Sequence, residues 1–160
     1  MKKLLIPFSS KSLYALEHFN NKNKNLLLCC SDEENAISVY KQLKFYGHDG
    51  ITKRQVIHFP SLDTVPYDRV SPNSEILAKR ASALTELAMN GEPKILVTAA
   101  QNLLQKIPPS EEFVDSTLSI KPEAKLDIEA IITFLIKAGF SRVASAVDSS
   151  EFAVRGEIVD

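Results

Sequence analysis

Through the first two thirds of the chain, short apolar runs alternate with stretches of helical periodicity. Leu26-Leu27-Leu28-Cys29-Cys30 is a continuous apolar run, as a strand covered on both faces requires. Ser31 is placed to cap the helix that follows, with Glu34 at the reciprocal capping-box position. Ala36, Val39, Tyr40, Leu43 and Tyr46 fall on one helical face, and Gly47 ends that helix. Val56 to Phe59 predicts a second strand, closed by Pro60. Ser71 and Pro72 predict the start of another helix, with Leu77, Ala81, Leu84 and Ala88 inward and Asn90-Gly91 at its end. Lys94 to Thr98 predicts a third strand, and Ala99 to Lys106 a short helix. The opening residues Met1 to Ile6 read as a buried strand, because their apolar stretch stops at Pro7, too early for a signal core.

Strands alternating with helices predict an α/β fold with a parallel sheet. The pattern changes after Pro109. Ser116 to Lys121, Arg142 to Val147 and Glu151 to Ile158 alternate apolar and polar positions, as strands with one solvent face do. Between the first two lies a helix capped by Asp127, with Ile128, Ile131, Ile132 and Leu135 on one face and Gly139 at its end. This predicts an α/β domain over residues 1–112 and a small α+β unit over 113–160, with the boundary near Pro108 to Ser116.

Composition narrows the function classes. Nineteen basic and twenty acidic side chains leave a net charge of −1, which speaks against a dedicated nucleic-acid surface. Leu26 to Cys30, the longest apolar run, falls far short of the ~20 residues of a membrane helix. The two cysteines are adjacent, so on a strand they point to opposite faces and do not bridge each other. His18, His48 and His58 have no ligand spacing with them, so no metal site is expected.

Candidate chemistry is sparse. A phosphate loop needs two glycines ahead of its Lys-Ser pair, so that backbone N–H groups wrap the phosphates. Ser10-Lys11-Ser12 keeps the pair, but Leu5 and Ser10 stand at the glycine positions. The segment therefore reads as a degenerate loop or an ordinary helix start. No nucleophile–base set is evident. In the last strand, Phe152, Val154, Gly156 and Ile158 are expected on one face and Arg155 on the solvent face. Its guanidinium fork suits a partner carboxylate; the alternative is an intrachain pair with Glu151 or Glu157.

Several segments resemble the bacterial transcription-repair coupling factors (the Mfd family). They are Phe59-Pro60-x-Leu62-Asp63-Thr64-Val65-Pro66-Tyr67-Asp68, then Ser71-Pro72, Gly139-Phe140-Ser141-Arg142-Val143, and Glu151-Phe152-Ala153-Val154-Arg155-Gly156-Glu157-Ile158-Val159-Asp160. Leu62 departs from the family, which often carries tryptophan there. The resemblance is to the N-terminal module, homologous to the repair protein UvrB. It implies a helicase-like α/β domain with a degenerate nucleotide site and a non-catalytic, cytoplasmic segment without cofactor. ATP and Mg would belong to motor domains outside it, as would contacts with RNA polymerase and duplex DNA. It implies docking of UvrA through the α+β unit, with Arg155 as the contact and Phe152 and Gly156 supporting it. Further docking residues would lie beyond Asp160, leaving an incomplete unit with a sheet edge prone to pair. The alternative is a UvrB-type nucleotide-binding ATPase or helicase domain.

Overall fold

A computed structural model describes residues 7, 10–22, 24–47, 55–64, 69–89, 91–118, 120, 127–148 and 150–160. The strand expected over Met1 to Ile6 lies outside these residues, as do Val65 to Asp68 of the proline-rich loop. The first unit runs α1 (Lys11–Lys22), β1 (Leu26–Cys30), α2 (Glu33–Tyr46), β2 (Val56–Phe59), α3 (Ser74–Met89) and β3 (Ile95–Ala99), with a 3-10 helix over Ala100–Leu104. The strands form a parallel sheet in the order β1-β3-β2, with Leu26 and Val56 both opposite Ile95. The parallel α/β expectation therefore holds, and β3 is the central strand.

The period of two along β3 divides the core between the sheet faces. Ile95 and Val97 pack with Ala15, Leu16 and Phe19 of α1 and Ala36, Val39 and Leu43 of α2. Leu96 joins the opposite cluster, built on Ile57, Phe59 and Ala83 with Leu84 and Leu87 of α3. The inward face of α2 is as the periodicity predicts, with Tyr40 and Tyr46 half-buried against it.

Helix starts differ from expectation by one or two residues. Asp32, not Ser31, caps α2, its carboxylate accepting from Asn35 N at 2.8 Å. The Ser31 hydroxyl instead donates to that carboxylate. The cap of α3 is Asn73, not Ser71: its Oδ1 accepts from Glu75 N at 2.8 Å and its carbonyl from Leu77 N at 3.1 Å. The inner face of α3 is correspondingly rotated. Arg80 and Ala83 are buried, whereas Leu77 and Ala81 face solvent.

The expected boundary stretch carries a short helix, α4 (Ser110–Asp115), which packs along α3. Beyond it come α5 (Ile128–Lys137), β4 (Ser141–Arg142), β5 (Glu151–Phe152), β6 (Val154–Arg155) and β7 (Ile158–Val159). Asp127 caps α5 as expected, accepting from Glu129 N at 3.0 Å and Ala130 N at 3.2 Å. Gly139, at φ +91°, ends it. Its N–H reaches Ile136 O and that of Phe140 reaches Leu135 O, each at 3.0 Å, the Schellman pattern that satisfies the last carbonyls.

The three alternating segments do not form three strands. Ser116 to Leu118 and Ile120 are not in a strand. Only Arg142 of the Arg142 to Val147 stretch is in a strand, β4, which pairs in parallel with β5. Glu151 to Ile158 breaks at Ala153 and turns back at Gly156-Glu157, so β6 and β7 make an antiparallel hairpin. Gly156 sits at φ +63°, a conformation glycine adopts without the cost an L side chain incurs.

Candidate partner-binding hairpin

The hairpin decides where the expected contact residues stand. Phe152, just ahead of it, is 2% exposed. Ala153, fully buried, exchanges two backbone hydrogen bonds with Asp160, of 3.1 and 2.9 Å, and so closes the open end of the hairpin. Arg155 is on β6, exposed as expected. Because the chain reverses at Gly156, Ile158 does not share a face with Phe152; it lies opposite Arg155 and is exposed. The expected single strand from Glu151 to Ile158 is thus replaced by a turn that presents Arg155 near a loop tip.

Arg155 is paired, but with neither expected neighbour. Its Nη2 donates to the carboxylate of Asp160. Glu151 is engaged elsewhere: Oε2 accepts from Val147 N at 3.1 Å and Asp148 N at 3.2 Å. These two bonds hold its carboxyl below the usual carboxylate range. Both members of the Arg155–Asp160 pair are well exposed, and such pairs contribute little to stability. The arrangement orients a guanidinium without burying it.

Ser10, Lys11 and Ser12 stand at the start of α1. Ser12 is fully buried, and its hydroxyl donates to Gln42 Oε1 of α2 at 2.8 Å. That hydroxyl joins two helices. Among the described residues no group of three His, Cys, Asp or Glu side chains could hold a metal ion, and no helix is long and apolar enough to cross a membrane.

A second polar cluster, unexpected from the sequence, lies at the carboxyl ends of β2 and β3. Arg80 is buried with its guanidinium 4.0 Å from the centre of the Phe59 ring. Nη1 donates to Pro60 O at 2.6 Å and to Asn102 Oδ1 at 3.3 Å, and Nη2 to Gln105 Oε1 at 2.7 Å. Asn102 in turn donates to Phe59 O, Ser61 Oγ and Thr98 Oγ1. Glu33 approaches from α2, and its Oε2 accepts from Ser61 N at 2.9 Å. Glu33 Oε1 lies 3.1 Å from His58 Nε2, off the line of a well-formed hydrogen bond. Burial pushes the His58 imidazole below its ordinary value of 6.5, while Glu33 opposes that shift. Phe59-Pro60-Ser61, where the proline-rich segment begins, is therefore fastened from α2, α3 and the 3-10 helix. A charged side chain facing inward gives no periodic signal, so pattern reading alone does not find this cluster.

No family model matches the chain. It is similar to curated transcription-repair-coupling factors: 42% identical over 155 residues to that of Rickettsia bellii and 39% over 155 residues to that of Rickettsia prowazekii, in each case 96% of this chain. The likeness extends to the Escherichia coli protein, at 26% over 135 residues. The chain spans about 14% of the length of the Rickettsia relatives.

Proposed function

Because this chain is homologous to an N-terminal segment of the transcription-repair-coupling factors, proteins of transcription-coupled DNA repair, we propose that it is a non-catalytic docking module that recruits UvrA. The whole protein would displace RNA polymerase stalled at a lesion, using ATP and Mg in motor domains on duplex DNA. This segment would bring the excision-repair machinery to that place. The observation that carries the reading is Arg155: an exposed guanidinium at a glycine turn, within a segment that resembles the family's R-G motif. Asp160 holds one edge of the fork. A partner carboxylate would exchange with Asp160 or add to the free donors, and charge-assisted bonds of this kind anchor interfaces.

The rival reading, a UvrB-type nucleotide-binding ATPase domain, needs a serine hydroxyl available to a metal-bound nucleotide. The buried bond from Ser12 to Gln42 favours the non-catalytic reading. Titration of this chain against UvrA tests the proposal. Saturable binding is expected, and Arg155→Ala should weaken it by about 2 kcal/mol, the effect of a hot-spot residue. Full affinity in the variant would overturn the role of Arg155. Saturable binding of ATP at millimolar concentration would revive the rival.

A further inference from the structure

The reversal at Gly156-Glu157 fixes more than the exposure of Arg155. Val154 pairs with Val159 and Arg155 with Ile158, so the next step of the same register sets Ala153 against Asp160. The two backbone hydrogen bonds between these residues hold that register. Residues directly opposite, and residues two apart along a strand, share a face. Asp160 is therefore the diagonal neighbour of Arg155, within reach of its long side chain. Ala153 is fully buried, so the backbone of Asp160 is anchored to the interior, and its short side chain cannot swing far. Among the described residues Nη2 alone of the guanidinium nitrogens has a partner. Nη1 and Nε remain available to a second acceptor.

We propose that Asp160 is an intrachain competitor at the docking site: it stands in for the partner's carboxylate in the free chain and lowers the affinity of Arg155 for an acidic surface. This rests on the reading of Arg155 as the UvrA anchor. Asp160 has opposing effects on such a contact. Its bond to Nη2 restricts the arginine before binding, which favours association. Its negative charge repels the incoming carboxylate, which disfavours association. Exposure decides between them. The Arg155 and Asp160 side chains are 64% and 41% exposed, and a pair so open to water holds its arginine loosely. Little ordering is gained from it. The repulsion, by contrast, grows as the partner excludes water, because charges interact more strongly in a lower dielectric. The competing effect therefore outweighs the orienting one.

The test is calorimetric titration of UvrA with the wild-type chain, Asp160→Asn, Arg155→Ala and the double variant. Asparagine keeps the shape of the side chain and the backbone bonds to Ala153 while removing the charge, so hydrogen exchange at Ala153 should not change. Asp160→Asn is expected to tighten binding about fivefold, as loss of a nearby like charge does. Arg155→Ala should weaken it about thirtyfold, the equivalent of a hot-spot residue. In the Arg155→Ala background, Asp160→Asn should change affinity by less than about twofold, because its effect passes through the guanidinium. Glu17→Gln, the same charge change on exposed α1, should also change it by less than about twofold, since distant exposed charges are screened. Unchanged or weaker binding by Asp160→Asn, with Arg155→Ala still impaired, would overturn the competitor role and leave the docking reading standing. An equal gain in the Arg155→Ala background or in Glu17→Gln would overturn it too, because the charge would then act without Arg155. Full affinity in Arg155→Ala, or no saturable binding by wild type and Asp160→Asn alike, would overturn the docking reading and this inference with it.

Discussion

The parallel-sheet region and the region after Pro109 reach order by different routes. The first places apolar runs in a parallel sheet and packs helices on both faces of its central strand, so Leu43, Ile95 and Val97 have no exposed surface, although Leu27 and Cys29 of β1 face solvent. The second has two-residue strands, and its order rests on local devices: the Asp127 cap, the Gly139 and Gly156 turns, and Glu151 gripping two backbone N–H groups. Its core residues Ile131 and Ile132 are each 9% exposed, and a groove lined by Ile131 lies open. Burial stabilises the first region, while turn and cap chemistry shape the second and leave apolar surface exposed.

Substitutions can break or sharpen that contrast. Leu43→Ala should have the largest effect, a loss of about 3–4 kcal/mol in urea unfolding, because a buried leucine leaves a cavity that rigid neighbours do not fill. An equal loss for Ile131→Ala would erase the distinction. Arg80→Met should cost about 2–3 kcal/mol, since it strips donors from Pro60 O, Asn102 and Gln105 in a buried site. Arg80→Lys should recover little of this, because a lysine has no planar fork; full recovery would show that charge alone matters. Gly156→Val should cost about 1–2 kcal/mol through the left-handed backbone rather than through crowding, as open space surrounds the position where a side chain would begin. Hydrogen exchange should then quicken at Ala153 and Asp160 while β1 and β3 stay protected.

The smallest effect is a pH dependence. Burial lowers the His58 pKa in the folded chain, against the pull of Glu33. The unfolded chain therefore protonates first as the pH falls. Stability should decline below about pH 6.5, until the folded form protonates as well. His58→Gln should flatten that limb of the stability profile; an unchanged slope would remove His58 as its cause.

The contrast also explains what could be read from the residues alone. Lys94 to Thr98 identified a strand because β3 is buried on both faces and leaves a continuous apolar signature. Leu26 to Cys30 forms a strand too, but Leu27 and Cys29 face solvent, so the expected cover on both of its faces is not found. The face of α2 was legible for a related reason, since Ala36, Val39 and Leu43 repeat at helical spacing. The face of α3 was legible only in part: Leu84 packs inward as predicted, but Leu77 and Ala81 face solvent because Arg80 turns inward over Phe59. Neighbouring polar residues competed for each cap: Asp32 is held by local bonds with Ser31 and Asn35, and Asn73 by Asp63 ten residues before it. Alternation ran unbroken through Gly156, so a hairpin resembled one strand; the glycine was the signal, and it outweighed the periodicity. The exposed position of Arg155 was legible, but its pairing with Asp160 was not, because that contact depends on the reversal.

The central position of β3 has a consequence for the newly made chain. Among the described residues β1 and β2 each pair with β3 alone, and β3 is the last of the three to be synthesised. On the ribosome the two earlier strands therefore wait for β3 until Ala99 has emerged. Closure of such distant pairs is slow. During that interval Leu26 to Cys30 is an apolar run open to unwanted association.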